Sequence, residues 1–392
     1  MRSPLPPRHE TVIIGGGIAG LACGRRLQDR QRPFLLITET IGGRIRSSAD
    51  GTVNLGAYYV RSDYRHVNRF VDRGRRMRRR DALRGNHNGS FTRSDSPVLL
   101  HLPQAVRFLR LMSKFRRRYE TFRQDCLQMS QAEAIRADRL LFDLYHEPAP
   151  RFIQRHRIED IARSYLTPLA QGTGFTSLDR LTAFTMLVGA LPMIVPMFEF
   201  TFRFDLLMAD FEEPPLFDSV IEVTPAGSHY VITTRANGTF TADNVVVATP
   251  IGVSATLLDL GPVKSPIHSH TFLVRGNLRP PWSRAAYSLF PEADPTLAIA
   301  RQADGSTLFC SVHEHPDFGE YFDTWQVVEH QYWNPAFHLE GDALLECEQG
   351  PGLYLIGDHN VCSLEDAYIT GVYAANRILS GFDVSTATSP DP

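Results

Sequence analysis

The chain has 392 residues, a formal net charge of -2 and 43% hydrophobic residues, enough length for two domains around a sizeable core. The near balance of charge argues against a nucleic-acid partner. Its five cysteines are scattered and form no C-x-x-C pair, and Met1–Pro7 carries no apolar h-region, so a reducing, cytoplasmic location is expected.

An apolar run, Thr11-Val12-Ile13-Ile14, leads into Gly15-Gly16-Gly17-Ile18-Ala19-Gly20 and a segment of helical composition. A second strand, Phe34–Thr38, comes next, with the acidic Glu39 nineteen positions after Gly20. Strand, glycine turn, helix, strand and carboxylate together predict a dinucleotide site. Gly15 permits the tight turn, Gly17 lets backbone N–H groups approach a pyrophosphate, and Gly20 allows close helix packing. The helix N-terminus favours the diphosphate's charge and Glu39 accepts from ribose hydroxyls.

A further glycine pair, Gly42-Gly43, precedes Arg44, and a strand-like piece ends Asn54-Leu55-Gly56-Ala57-Tyr58-Tyr59-Val60. Residues 61–93 are rich in arginine and read as a solvated helix face or loop, with an anionic membrane surface as the functional alternative. Helical spacing of apolar residues marks 103–170, interrupted at Pro148 and Pro150. The uncharged run 181–198 only just reaches the length of a membrane span and contains two prolines; it reads as buried core or the wall of an apolar pocket, and otherwise as a dip into one leaflet.

From residue 216 the period becomes strand-like. Ser219–Val223 and His229–Thr234 predict a hairpin, and Asn244–Ala248 a strand buried in a parallel sheet. Gly352–Asp358 is another buried strand running into a glycine turn, with a helix from Ser363 to Leu379 and a polar tail over 383–392 expected to be disordered. His313-Glu314-His315 offers two imidazoles but no third ligand at recognisable spacing, so no metal site is assigned.

Four motifs in this order, GGGIAG at 15–20, GGRI at 42–45 with NLGAYY at 54–59, NVVVATP at 244–250, and LYLIGD at 353–358 with SLEDAYITG at 363–371, resemble the flavin amine oxidase superfamily, which includes protoporphyrinogen oxidases and plant-type carotenoid desaturases. The resemblance implies an α/β, two-domain FAD-dependent oxidoreductase. Its Rossmann-like FAD domain would be discontinuous, over 8–70, 212–260 and 345–382, with an α+β substrate domain over 71–211 and 261–344.

By the same likeness Gly15, Gly17, Ile18, Ala19 and Gly20 hold the FAD pyrophosphate and Glu39 the adenosine ribose. Gly42 and Gly43 precede Arg44, which adds a planar donor fork to the diphosphate. Gly56 and Ala57 lie along the isoalloxazine ring, and Val220 offers backbone groups to the adenine. Gly357 and Asp358 meet the ribityl or diphosphate region, and the helix carrying Leu364 and Ala367 points its positive end at the flavin. Cys347 lies too close to Gly357 to match the family's covalent attachment, so FAD is expected to be non-covalent.

Departures from the pattern bear on chemistry. The lysine that amine oxidases place near the flavin has its best match at His270, while Lys264 sits earlier, between Pro262 and Pro266. The aromatic cage position before the motif's glutamate is Ser363. These features favour hydride removal from a largely apolar small molecule, with His270, Tyr59, Tyr332 and Trp333 as candidate catalytic residues. An amine oxidase releasing hydrogen peroxide, a non-redox flavin-dependent isomerase, and a non-catalytic FAD-binding protein are the alternatives. Peripheral membrane contact is a further option.

Overall fold

A computed structural model describes residues 7–85, 91–93, 101–292 and 294–387. Its organising element is the strand Arg8–Gly17, which pairs in parallel with Leu35–Gly42 on one side and Thr239–Val247 on the other. Because helices and further elements cover both faces, alternate side chains enter two different cores. Ile13 packs with Leu21 and Leu36 on one face, whereas Val12 and Ile14 pack with Leu35 and Ile37 on the other. A strand buried on both faces reads as a continuous apolar run, as this one does.

The eight-stranded sheet runs in the order 348–350, 353–355, 239–247, 8–17, 35–42, 216–217, with the hairpin Val220–Ala226 and His229–Thr234 added along Thr239–Val247. Leu353–Leu355 pairs in parallel with Val245–Val247. The predicted hairpin and both buried late strands are therefore present. The closing helix, Leu364–Ala387, lies on the helix Ile18–Gln28. That contact requires Gly371, since a Cβ there would stand 2.1 Å from the Ala19 oxygen. The helix continues past residue 383, where the tail was expected to begin; residues 388–392 of that tail lie outside the described residues.

A second sheet of seven strands, ordered 322–340, 265–278, 307–311, 296–301, 287–289, 82–85 and 91–93, is antiparallel except where Tyr287–Leu289 meets Ala82–Gly85. Helices between Leu102 and Ala190 cap it around one large apolar core. Ser130 and Glu133 form a reciprocal capping box at the helix Gln131–Ala137. Pro148 caps, and Pro150 opens, the helix Ala149–His156, where an absent N–H costs nothing.

Two expectations are corrected. Among its described residues the arginine-rich stretch contains neither a long helix nor a simple loop: Val71–Met77 is a strand of a three-stranded sheet with Met197–Phe202 and Val60–Arg61. Its pairing with an aromatic strand places Arg73 over the Phe198 ring, so tertiary contact overrides a charge-dense local sequence. The piece over 54–60 is mostly irregular, with a strand only at Val60–Arg61. Within 181–198, the helix Ala183–Ala190 is buried in the capping core. Among the described residues, no helix is long and apolar enough to cross a membrane.

Candidate dinucleotide site and adjoining chamber

At the C-terminal end of Arg8–Gly17 the chain turns with Gly15 at φ +111°, a conformation that strongly favours glycine. The next glycines are needed for different reasons. A Cβ on Gly20 would sit 2.0 Å from the Gly15 oxygen, so close packing of the first helix depends on its absence. A Cβ on Gly17 would meet no atom within 4 Å; it would project into a cavity. Such a helix N-terminus facing open space suits a phosphate.

That cavity, of about 640 Å³, is continuous from the glycine turn to the helical cap. Its nucleotide end gathers nearly every residue the sequence assigned: Gly15, Gly17, Ile18, Ala19, Glu39, Gly42, Gly43, Arg44, Gly56, Ala57, Val220, Gly357, Asp358, Leu364 and Ala367. Gly20 stands just behind as a packing residue. Glu39 shares a hydrogen bond with the Ser219 hydroxyl beside Val220. Gly42 and Gly43 have φ +97° and +57°, and a Cβ on Gly43 would crowd Gly17 Cα at 3.3 Å. Gly56 tolerates no side chain either, with the Arg44 oxygen at 2.1 Å and Trp333 Cζ2 at 3.0 Å from a Cβ. Gly56 thus lets the Arg44 backbone and the Trp333 ring pack directly against the chain. The open space at Gly17, the helix N-terminus and Glu39 fit a dinucleotide.

Arg44 bridges the motifs at this end. Its Nη2 lies 2.6 Å from Asp358 Oδ1 and its Nη1 donates to the Ala336 oxygen at 3.0 Å. Burial alone would raise the Asp358 carboxyl, but the adjacent guanidinium outweighs it and holds the group below its ordinary range.

The other end of the cavity is lined by Leu166, Leu169, Phe175, Phe184, Met186, Leu308, Phe337 and Leu339. Tyr59 and Trp333 face it. Burial raises the Tyr59 hydroxyl well above its usual value, so it stays a donor. His270 does not belong here. Along Ser265–Leu278 the inward residues are Ile267, Ser269 and Thr271, and Thr271 reaches the cavity. His270 therefore falls on the outer face, 2.9 Å from His330 and stacked 4.6 Å from the Tyr332 ring. Tyr332 lines the cavity while 46% exposed, and Trp333, one residue on, lines it buried. The outward turn of His270 comes from the two-residue period of a strand.

In place of His270 the structure presents Lys264. The residue is 5% exposed and lines the cavity, its Nζ donating to the Asn360 oxygen at 2.9 Å and standing 4.8 Å from the Tyr145 ring centre. Burial lowers its ammonium to about 8. The sequence held a signal for it: of 41 basic residues only Lys114 and Lys264 are lysines. Two cysteines were missed as well, since Cys310 and Cys362 both line the cavity. Cys347 does not; it is buried behind the terminal helix against Tyr373 and His359.

Ser363, at the cage position, joins a buried polar network. Asp366 accepts from Arg123 Nη2 at 2.7 Å and from the Tyr119 hydroxyl at 2.7 Å, and Ser363 shares the same carboxylate. Next to it Glu365 accepts the backbone N–H groups of Arg65, His66 and Val67. The terminal helix is thereby tied to both the cap and the segment after Tyr59. Among the described residues, no group of three or more His, Cys, Asp or Glu side chains is arranged to hold a metal ion, and His313, Glu314 and His315 lie exposed after the strand Thr307–Ser311.

The family described as an NAD(P)-binding Rossmann-like domain matches residues 13–73, which hold the first βαβ unit and the segment after it. No curated protein sequence matches the chain. Among solved structures, a double mutant of putrescine oxidase made in a redesign of cofactor binding superposes with TM-score 0.69 at 12% identity, over 95% of this chain and 99% of that one. Wild-type putrescine oxidase bound to putrescine gives TM-score 0.66 at 12% identity, over 95% and 99%. The chain thus shares the fold of putrescine oxidase, a mixed α/β architecture that contains a Rossmann-like unit.

Proposed function

We propose that this chain is an FAD-dependent oxidoreductase that removes a hydride from a largely apolar small molecule. The observation that carries this reading is the distribution of charge along the cavity. Its three carboxylates, Glu39, Asp218 and Asp358, all lie on the nucleotide side, and Asp358 is already paired with Arg44. The chamber beyond offers apolar walls, the Lys264 amine, and Arg61, whose guanidinium is already paired with Asp63 at 3.0 Å. A polyamine entering it would find no unpaired carboxylate in the wall, at a cost of desolvation without compensation. An apolar substrate would be held by burial alone.

FAD, when bound, supplies the ring that accepts the electron pair. Held without a covalent bond, it would have its diphosphate on the turn of Gly15, Gly17 and Gly20, its ribose on Glu39, and its ring beside Gly56, Ala57 and Trp333. The apolar chamber excludes water and orients the substrate. When a C–H bond gives up its hydride, the neighbouring hydrogen leaves as a proton, and the deprotonated form of Lys264, whose ammonium burial lowers to about 8, accepts it at Nζ. Tyr59 remains protonated and donates a hydrogen bond. We assign 8–70, 212–260 and 345–382 to the FAD-binding body and 71–211 with 261–344 to the substrate body.

The test is anaerobic mixing of the yellow protein with polyamines, aromatic amines, isoprenoids and porphyrinogens while the flavin absorbance is monitored. Bleaching by an apolar hydrocarbon or a porphyrinogen is expected. Bleaching by an amine, with hydrogen peroxide released on readmitting oxygen, would reverse the assignment.

A further inference from the structure

The helix Leu102–Asp125 divides its surface sharply. One face is sealed into the capping core through Phe108, Met112, Phe115 and Phe122. The opposite face exposes Leu102 at 50%, Val106 at 38% and Leu109 at 47%, which share one side of the first two turns. A lone exposed leucine is ordinary; three at helical spacing form a stripe.

Cations continue the stripe. Arg110, Lys114, Arg116 and Arg117 are exposed along the next two turns, and among the described residues none of them has a carboxylate in ion-pair contact. The acidic groups in contact with this helix are already engaged: Glu120 with Arg65, Asp138 with Arg118, and Asp160 with Gln104 and Arg163. The result is an apolar end continuing into an uncompensated positive field on one outward face.

We propose that this face docks the protein on an anionic phospholipid bilayer, the helix lying in the interface with Leu102, Val106 and Leu109 among the acyl chains and the cations over the headgroups. Apolar side chains beside lysine and arginine are what an interfacial helix requires, and each cation near an anionic leaflet strengthens attachment. A nucleic acid would use the cations and leave the stripe in water. The buried face of the same helix shares its core with Phe184, which lines the chamber, so docking here brings the apolar chamber within one helical layer of the lipid. The inference stands independently of the redox reading, because binding is measured without turnover.

Flotation of the FAD-loaded protein with vesicles tests it, using phosphatidylcholine alone and phosphatidylcholine mixed with phosphatidylserine. Binding to the mixed vesicles, weakened by added salt, is expected. Each single Arg110→Gln, Lys114→Gln or Arg117→Gln change should lower partitioning about fivefold. The triple change Leu102→Ser, Val106→Ser, Leu109→Ser should abolish most binding at any salt while flavin content and circular dichroism stay unchanged. Absence of flotation with the mixed vesicles would overturn the proposal. So would binding that ignores these substitutions, or self-association that the triple change disperses while vesicles remain unbound.

Discussion

Lys264 Nζ donates to the Asn360 main-chain oxygen at 2.9 Å over the Tyr145 ring, with no carboxylate in ion-pair contact among the described residues. A buried ammonium held this way costs stability. Burial lowers it from 10.5 to about 8, a penalty of roughly 3 kcal/mol when the group is charged. Between those values the unfolded chain binds the proton and the folded chain does not, so stability rises with pH across that window. Lys264→Met should therefore stabilise the apoprotein by up to ~3 kcal/mol below the window, with the gain fading as pH rises through it. Urea unfolding at several pH values measures this. The same variant should lose the acid-limb ionisation in kcat/KM, and a stabilised variant with full activity and an unchanged pH profile would remove Lys264 from the chemistry.

Gly17 and Gly20 lie in one turn but answer to different neighbours, so alanine at each should fail differently. Gly20→Ala drives a methyl into the Gly15 backbone and should cost about 1–3 kcal/mol, with weakened cofactor retention as a consequence. Gly17→Ala meets nothing and has φ -74°, which alanine adopts freely, so the melting temperature of the apoprotein should hold. Its methyl occupies the space intended for phosphate, and FAD affinity should fall at least tenfold. Calorimetry of the apoproteins and FAD titration separate the two effects.

The nucleotide end was legible because its determinants are local: a glycine that must adopt positive φ, or leave room for phosphate, writes itself into a short motif. Strand phase was not legible. Around His270, polar residues occupy both alternating sets, His268 and His270 outward, Ser269 and Thr271 inward, so hydrophobicity gave no indication of which side meets the chamber. The strand Val71–Met77 was unreadable for another reason: its partner is distant Met197–Phe202, and no property of its own residues announces the pairing.

The cavity cysteines bear on how the cofactor is held. Burial pushes the Cys310 thiol up to about 11 and the Cys362 thiol higher still, with Asp358 adding to the rise at Cys362. Neither is a thiolate near neutral pH, and the thiolate is the nucleophile. Acid precipitation should release all yellow colour into the supernatant, and Cys310→Ala and Cys362→Ala should leave the bound flavin spectrum in place. Colour retained on the precipitated wild-type chain but lost from either alanine variant would identify a covalent link.

Arg123 and Asp366 bind the helical cap to the terminal helix, and their burial makes the pair costly to break. Arg123 is 5% and Asp366 1% exposed, and both are engaged with the Tyr119 hydroxyl. Burial by itself would raise the Asp366 carboxyl; the charge and hydrogen bonds of Arg123 outweigh it and hold it below 3.8. Arg123→Met strands Asp366 and should cost about 3–5 kcal/mol, whereas Asp366→Asn leaves Arg123 with Asp63, 3.5 Å from its Nη1, and should cost less. The double change Arg123→Met with Asp366→Leu should cost much less than the sum, because no charge is left buried alone. The carboxyl's contribution is present above its unfolded value of 3.8 and is lost as pH falls through its lower folded value. Wild type and Asp366→Asn should therefore converge in stability under strong acid, while differing most at neutral pH. Since Ser363 shares this carboxylate at the cavity wall, the singles should also loosen the chamber, seen as faster quenching of flavin fluorescence by iodide. Additive costs in the double-mutant cycle would show that the two side chains act separately and that the cap is held by apolar packing alone.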